Sequence, residues 1–200
     1  MNRADVLELH YIAPVSNLIS IIKLGLLCHK EASKLAHRSV AMAEMQARRS
    51  TKDVPNGLPI HSYVNLYFHA RNPMLSKLRA YHAELCVLRI DPAVLDHPNV
   101  VITSQNVSSN YVRYYSSPDG LAYLDKDLVY AESWIHPDQI EEWRHKSIKC
   151  AEVLVPNQLD SVYIKGAYVS NETTKYQVQG LLEAADLSFE LTIQRNLFFQ

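Results

Sequence analysis

The scarcity of glycine is the sequence feature that most limits how this chain can fold and bind a ligand. Its 200 residues include only five glycines, which are too widely spaced to form a GxGxxG or a P-loop motif. Rossmann domains and P-loop proteins need such motifs because their backbone must come close to the phosphates. The sequence therefore disfavours both classes, and a nucleotide would need a different kind of binding site.

The composition predicts a single domain, residues 1–200, with an ordinary hydrophobic core. Hydrophobic residues make up 48% of the chain and charged residues 20%, whereas disordered chains are highly charged and poor in hydrophobic residues. The formal net charge of −1 excludes a general cationic coat for nucleic acid, but it allows a local basic patch. Residues 29–52 form such a patch, with six basic and two acidic residues.

The sequence also predicts a cytoplasmic protein that does not span a membrane. The longest apolar runs, such as residues 18–22, fall far short of the roughly 20 residues of a membrane helix. The N-terminus lacks the apolar core of a signal peptide. Cys28, Cys86 and Cys150 are odd in number and widely spaced, as expected of reduced thiols.

Helical and strand patterns alternate irregularly along the chain, which is typical of an α+β fold rather than a doubly wound α/β fold. Short runs of β-branched and aromatic residues predict strands, and apolar residues at helical spacing predict helices. The predicted strands cover residues 6–12, 63–68, 85–90, 100–103, 150–155, 162–164 and 187–193. The predicted helices cover the stretch from Ser16 to Gly25 and residues 41–49, 74–82 and 173–185.

Glu152 and the pair Arg48 and Arg49 are candidate functional residues on their pattern alone. A carboxylate that opens an apolar strand is costly to bury without a partner, although strand alternation can equally point Glu152 to solvent. Arg48 and Arg49 end a predicted helix. They could bind a phosphate or a carboxylate, or lie at a solvated helix end that favours cations.

Two further features allow both a functional and a structural interpretation. The aromatic and basic residues of 67–74 could stack bases and hold phosphates, or they could form a core strand that ends in a turn. His10 lies inside the first predicted strand, where a structural histidine is common. Because the nine histidines form no HExxH motif or close pair, we expect no metal site.

Four segments, taken together and in order, resemble the DarT family of toxins, which ADP-ribosylate DNA bases. The resemblance spans about residues 7–170. It implies an ADP-ribosyltransferase fold, with a split β-sheet core and flanking helices, and it implies that NAD binds as a substrate in the central cleft without a metal. The matching segments are residues 9–12 (LHYI) with 17–27, 45–49 (MQARR) with 54–55, 61–75 (HSYVNLYFHARNPML) and 150–156 (CAEVLVP).

The resemblance also implies roles for individual residues. Glu152 takes the position of the transferase glutamate, which accepts a ribose hydroxyl and stabilises developing positive charge, and Arg49 that of an arginine near NAD and the target base. Arg49 would orient and polarise that base, since arginine stays protonated. The implied NAD-binding residues are His10, Ile12, Asn17, Gly25, Leu26, Arg49 and Tyr67. The implied DNA-binding residues are Arg48, Lys52, Arg71, Met74 and Asn106.

The substrates and the partner follow from the same resemblance. Residues 29–60 would form a helix and loop that cover NAD and the DNA strand. The substrate would be a base in single-stranded DNA, thymine in most described members and guanine in others. Asn106 stands where some members carry histidine, which leaves the target base open. The usual partner is a macrodomain antitoxin of the DarG type, and we expect the chain alone to be monomeric.

Two alternatives remain open from the sequence. The same fold could modify RNA or protein, or the chain could be a nucleic-acid binder without catalytic activity. A separate alternative concerns residues 196–200, which resemble the remnant of a protease-site tag but could equally be a native apolar terminus.

Overall fold

The computed structural model describes all 200 residues, which form ten strands and seven α-helices joined by turns and short 3-10 helices. The strands are β1 (Leu9–Pro14), β2 (Leu26–Leu27), β3 (Tyr63–Tyr67), β4 (Leu85–Ile90), β5 (Val101–Thr103), β6 (Tyr114–Ser116), β7 (Glu152–Pro156), β8 (Gln158–Leu159), β9 (Ile164–Val169) and β10 (Leu191–Ile193). The helices are α1 (Leu18–Leu24), α2 (His29–Ala32), α3 (Ala43–Arg49), α4 (Pro73–Lys77), α5 (Lys126–Tyr130), α6 (Gln139–Ile148) and α7 (Glu172–Ala184).

Eight strands form one mixed sheet in the order β10-β9-β4-β1-β3-β7-β5-β6, while β2 and β8 pair in a small separate sheet. Strands β9 and β10 run parallel and are connected through α7. The other neighbouring strands of the large sheet run antiparallel. The predicted α+β class is therefore confirmed.

The large sheet is almost divided at its centre, between β1 and β3. These two strands are joined through the single residue pair His10–Tyr67, whereas β1 pairs with β4 along its whole length. Beyond that pair the two strands separate, and both of them line a cleft. The split β-sheet core implied by the family resemblance is thus visible in the hydrogen-bonding pattern.

The buried side chain of His10 fastens the two halves of the sheet where they meet. Its Nδ1 donates to the carbonyl oxygen of Phe68 at 3.2 Å, and its Nε2 lies 3.1 Å from Oε1 of Glu8. Glu8 also accepts hydrogen bonds from Arg89 Nε at 3.0 Å and from the Tyr168 hydroxyl at 2.6 Å. His10 therefore connects a charged cluster on one half to the end of β3 on the other.

Strand alternation decides which residues reach the core and which face the cleft. Val153 and Val155 of β7 pack into the main core with Leu66 of β3 and with Val178 and Leu182 of α7. The residues between them take the opposite face of the sheet. Helix α7 therefore lies behind the sheet, and the cleft lies in front of it.

The structure differs from the predicted elements in several places. Residues 162 and 163 do not belong to a strand: Asp160 accepts a hydrogen bond from Val162 N at 3.0 Å and caps a 3-10 helix, Ser161–Tyr163, and β9 begins only at Ile164. The predicted helix 74–82 ends at Lys77 and continues as the 3-10 helix Arg79–Glu84. Helices α5 and α6 were not predicted, because residues 125–142 hold six acidic residues and one lysine, a composition typical of a solvated flank.

The C-terminal residues pack as part of the domain. Phe198 is fully buried against Ile12 and Tyr67, and the guanidinium of Arg71 lies 4.1 Å from the ring centroid of Phe199. None of the helices combines the length and the apolar composition needed to cross a bilayer.

We expect the Glu8 cluster to stabilise the fold down to acidic pH. Burial opposes ionisation of Glu8, but hydrogen bonds from His10, Tyr168 and Arg89 outweigh it and lower its pKa from the usual 4.5 to about 2. Because the folded-state pKa is lowered, this contribution is present above pH 4.5 and is lost as the pH falls toward 2. The wild type should therefore lose more of its free energy of unfolding over that interval than Glu8→Gln.

Urea unfolding followed by circular dichroism between pH 7 and pH 2.5 measures this difference. Glu183→Gln, at an exposed position of α7, is the control and should follow the wild type. Parallel curves for the wild type and Glu8→Gln would contradict the prediction.

Candidate active site

A cleft of about 510 Å³ opens where β1 and β3 separate. Its size falls within the range of roughly 300–1,000 Å³ typical of small-molecule sites. The walls are formed by β1, α1, the segment from α2 to α3, β3 and the end of α6. Most of the surface is apolar, while the polar side chains of Arg49, Asn65 and Asn106 come together at one end.

Glu152 lies behind this polar end and is completely buried. Its Oε1 accepts hydrogen bonds from Arg49 Nη2 at 2.7 Å and from the Val107 backbone N–H at 3.1 Å. Its Oε2 accepts one from Asn65 Nδ2 at 2.7 Å. The alternative in which strand alternation points Glu152 to solvent is therefore wrong. A buried charge needs such partners, and here both oxygens have them.

The backbone around Glu152 is fixed as firmly as its side chain. Glu152 opens β7 opposite Tyr67 of β3, so two cleft-side residues lie next to each other. The hydroxyl of Thr103 in β5 accepts a hydrogen bond from the Glu152 N–H at 2.9 Å. Neighbouring strands on both sides therefore set the position of the carboxylate.

Arg49 reaches Glu152 from the end of α3 and lines the cleft, with 13% of its side chain exposed. Burial alone would lower the pKa of Arg49, but the adjacent Glu152 carboxylate outweighs this effect and raises it. Arg49 therefore stays a cation. The neighbouring Arg48 points away and forms a surface ion pair with Glu44 at 2.7 Å.

Most of the residues that the resemblance implies for NAD lie on the cleft, and His10 does not. Ile12, Asn17, Gly25, Leu26, Arg49 and Tyr67 all line it. The ring of His10 is held instead at the junction of the two half-sheets.

Asn17 and Gly25 each have a structural role in the wall of the cleft. The amide of Asn17 donates to the carbonyl oxygen of Arg38 at 2.7 Å and accepts from the Arg38 N–H at 3.1 Å, which fixes the segment between α2 and α3 across the cleft. Gly25 ends α1 at φ +78°, and a Cβ there would lie 2.3 Å from the carbonyl oxygen of Leu159. Only glycine fits this position.

The residues implied for DNA divide into two groups. Met74 and Asn106 line the cleft, and the Tyr67 hydroxyl donates to Met74 Sδ at 3.0 Å. Arg48, Lys52 and Arg71 do not line it. Lys52 donates to the carbonyl oxygen of Ser109, and Arg71 pairs with Glu132 at 3.2 Å.

Burial holds two further titratable groups beside the cleft, Cys150 and Tyr67, in their neutral forms. Burial raises the pKa of the Cys150 thiol to about 12. Burial, reinforced by the Glu152 charge, raises the pKa of Tyr67 well above its usual value. No group of three His, Cys, Asp or Glu side chains is placed to hold a metal ion.

Asn65 is the residue that sequence reasoning missed. It lies in the middle of an apolar strand, YVNLY, between Tyr63 and Tyr67 on the cleft side of β3. An amide inside such a strand needs a hydrogen-bond partner, and this signal could have pointed to Asn65. Its partner, Glu152, is 87 residues away along the chain, so the sequence did not reveal it.

Comparisons with known proteins agree with this fold. The structure of Thermus sp. 2.9 DarT in complex with ADP-ribosylated ssDNA superposes with a TM-score of 0.85 and 22% identity over 99% of both chains. The structure of the same protein in complex with NAD+ gives a TM-score of 0.80 and 21% identity over 96% of this chain and 98% of that one. This chain therefore has the fold of Thermus sp. 2.9 DarT.

Sequence comparison then gives the family. The family described as "DarT: ssDNA thymidine ADP-ribosyltransferase, DarT" matches residues 10–199, and this chain belongs to it. A "DNA ADP-ribosyl transferase" of Thermus sp. is 28% identical over 67% of this chain and 69% of its own length. A "DNA ADP-ribosyl transferase-DNA ADP-ribosyl glycohydrolase fusion protein" of Thermosipho africanus is 26% identical over 82% of this chain, which spans 42% of that relative.

We expect Asn65→Ala to lower the free energy of unfolding by about 1.5–3 kcal/mol, the range for a hydrogen bond to a charged group. The substitution leaves one oxygen of a buried carboxylate without its donor. Denaturant unfolding measures the change. Asn110→Ala, at an exposed loop position, is the matched control and should unfold like the wild type. Equal stability of both variants would show that Asn65 does not stabilise Glu152.

Proposed function

We propose that this chain transfers ADP-ribose from NAD to a thymine base in single-stranded DNA and releases nicotinamide. The observation that carries the proposal is the Glu152 carboxylate, buried at the polar end of the cleft and held there by Arg49 and Asn65. Membership of a family of ssDNA thymidine ADP-ribosyltransferases supports the substrate and the reaction. The described complexes of Thermus sp. 2.9 DarT with NAD+ and with ADP-ribosylated ssDNA support both substrates.

The residues of the cleft suit NAD. Apolar walls around Ile12 and Leu26 can enclose the rings, and a few polar groups such as Asn17 and Arg49 can fix their orientation. Tyr67 adds an uncharged aromatic wall next to Glu152. NAD supplies the ADP-ribosyl group, and nicotinamide is the leaving group. This cleft needs no glycine-rich loop, which agrees with the composition of the chain.

Glu152 supplies the negative charge that the reaction needs. In the transfer, the bond between the ribose and nicotinamide breaks, a bond between the ribose and the base forms, and the base loses a proton, which is released to the solvent. A carboxylate can accept a hydrogen bond from a ribose hydroxyl and stabilise positive charge that develops on the sugar. The donors Arg49, Asn65 and Val107 hold the carboxylate in place beforehand, so little reorganisation is needed.

Arg49 orients the reacting groups and does not remove the proton. Its pKa is raised by Glu152, so it has no tendency to accept a proton under ordinary conditions. A guanidinium at this position can donate hydrogen bonds to a carbonyl oxygen of the base or to a phosphate. It therefore polarises the base while Glu152 stabilises the sugar.

The proposal extends to a partner and a compartment. The Thermosipho africanus relative is described as a fusion of a transferase with a DNA ADP-ribosyl glycohydrolase, which supports a macrodomain antitoxin of the DarG type that reverses the modification. The three free, buried cysteines suit a reducing compartment, and we assign the chain to the cytoplasm.

We expect Glu152→Gln to lower the rate of DNA labelling by at least about 100-fold, a loss typical of removing a group that stabilises transition-state charge. The amide keeps the shape of the side chain but not its charge. The purified protein is incubated with NAD and mixed single-stranded oligonucleotides, and the ADP-ribose adduct is measured by intact mass.

Glu183→Gln on α7 is the control and should label DNA at the wild-type rate. Parallel reactions with RNA and with protein test the alternative substrates, and released nicotinamide tests for a binder without activity. Wild-type labelling by Glu152→Gln would overturn the proposed role of this residue. A wild-type protein that modifies only RNA or protein would overturn the proposed substrate.

A further inference from the structure

The connection between β5 and β6, residues 104–113, which we call the 104–113 loop, presents an exposed tyrosine beside the active site. Tyr111 is 86% exposed, more than any other large hydrophobic residue of the chain. Its ring packs against no other aromatic ring, and its hydroxyl group has no hydrogen-bond partner. A single exposed aromatic residue is ordinary on a protein surface, so its surroundings decide what it means.

The 104–113 loop is attached directly to the active site. The backbone N–H of Val107 donates to Glu152 at 3.1 Å, and Val107 itself is buried. The N–H of Asn106 donates to the carbonyl oxygen of Ser147 at 2.9 Å, at the end of α6. Tyr111 follows Val107 by four residues, so its backbone lies within about 14 Å of Val107, on the same loop that contacts Glu152.

The loop is also braced internally. Ser109 Oγ accepts hydrogen bonds from Gln105 Nε2 at 2.6 Å and from the Tyr111 N–H at 3.1 Å. Ser104 and Arg113 are joined by two hydrogen bonds, at 2.9 and 3.0 Å. The backbone on both sides of Tyr111 is therefore fixed, and the ring is presented without losing much conformational entropy on binding.

The charges near Tyr111 suit a phosphate backbone. Arg113 is exposed and forms no salt bridge, and Lys52 holds the carbonyl oxygen of Ser109 without a carboxylate partner. A polyanion is therefore favoured at Tyr111.

We propose that Tyr111 is the stacking platform for the nucleotide that adjoins the modified base, with Arg113 binding the phosphate there. The inference rests on the proposed function and adds a substrate subsite to it. A base held in the cleft has left the stack, so its neighbour has one bare face. An exposed aromatic ring can cover that face whatever the base is, and a nearby cation can hold the backbone.

The first test compares single substitutions in the full chain. Tyr111→Ala should lower kcat/KM for a single-stranded oligonucleotide by about 10-fold, in line with the loss of one stacked base. The change should appear in KM for DNA, while KM for NAD stays the same. Tyr111→Phe keeps the ring and should retain wild-type kinetics. Tyr176→Ala is the matched control, since Tyr176 is 71% exposed on α7, behind the sheet.

The second test removes the base that we propose to stack on the Tyr111 ring. Oligonucleotides are made with one thymine and with an abasic spacer in place of the nucleotide on its 5′ or its 3′ side. For the wild type, the spacer on one of the two sides should lower kcat/KM by about 10-fold. For Tyr111→Ala, the same spacer should cause no further loss, because the stacking contact is already missing.

The outcomes separate this inference from the proposed function. Wild-type DNA labelling together with unchanged kinetics of Tyr111→Ala would overturn the stacking platform alone. So would an equal spacer penalty in the wild type and in Tyr111→Ala. A wild-type protein that labels no DNA would overturn the proposed function, and this inference with it.

Discussion

The burial of the Glu152 charge organises the structure around the cleft. A carboxylate with no exposed surface is tolerable only if donors from the protein replace the water it has lost. Those donors come from three parts of the chain that are far apart in sequence: Arg49 from α3, Asn65 from β3 and Val107 from the 104–113 loop. The need to satisfy this one charge therefore brings α3, β3 and the 104–113 loop together around the site.

The second constraint is the near-division of the sheet between β1 and β3. A fully paired centre would leave no room for a ligand, because neighbouring strands lie only about 5 Å apart. One residue pair, reinforced by His10, keeps the halves joined while the strands part beside it. In a sheet of this kind, the ligand site lies where two neighbouring strands are not hydrogen-bonded to each other. A Rossmann fold obtains its site from a glycine-rich loop instead, so the scarcity of glycine is consistent with this architecture.

The sequence predicted the parts of the site that short motifs carry, and it missed those that depend on long-range contacts. Arg49 and Glu152 were predicted from the family resemblance, and the structure brings them to 2.7 Å. Asn65 lies within one of the same segments, but its role depends on strand pairing between β3 and β7, which no local pattern specifies. His10 was assigned to NAD because of its position in the motif. In the structure its buried ring instead contacts Phe68 and Glu8, and so joins the two halves of the sheet. Local composition also missed α6, since an acidic stretch can be an irregular solvated flank or a helix that lies largely in solvent.

The Arg49–Glu152 pair also limits how the reaction can be divided between residues. The carboxylate raises the pKa of the guanidinium, so Arg49 stays protonated, and the guanidinium donates to the carboxylate at 2.7 Å. Arg49 is therefore unsuited to act as a base. In the proposed reaction, Oε2 of Glu152, which accepts a hydrogen bond only from Asn65, keeps a lone pair for a ribose hydroxyl. Arg49 donates one N–H to Oε1 and keeps further N–H groups for the base. On this proposal the ion pair serves both substrates, the sugar through Glu152 and the base through Arg49.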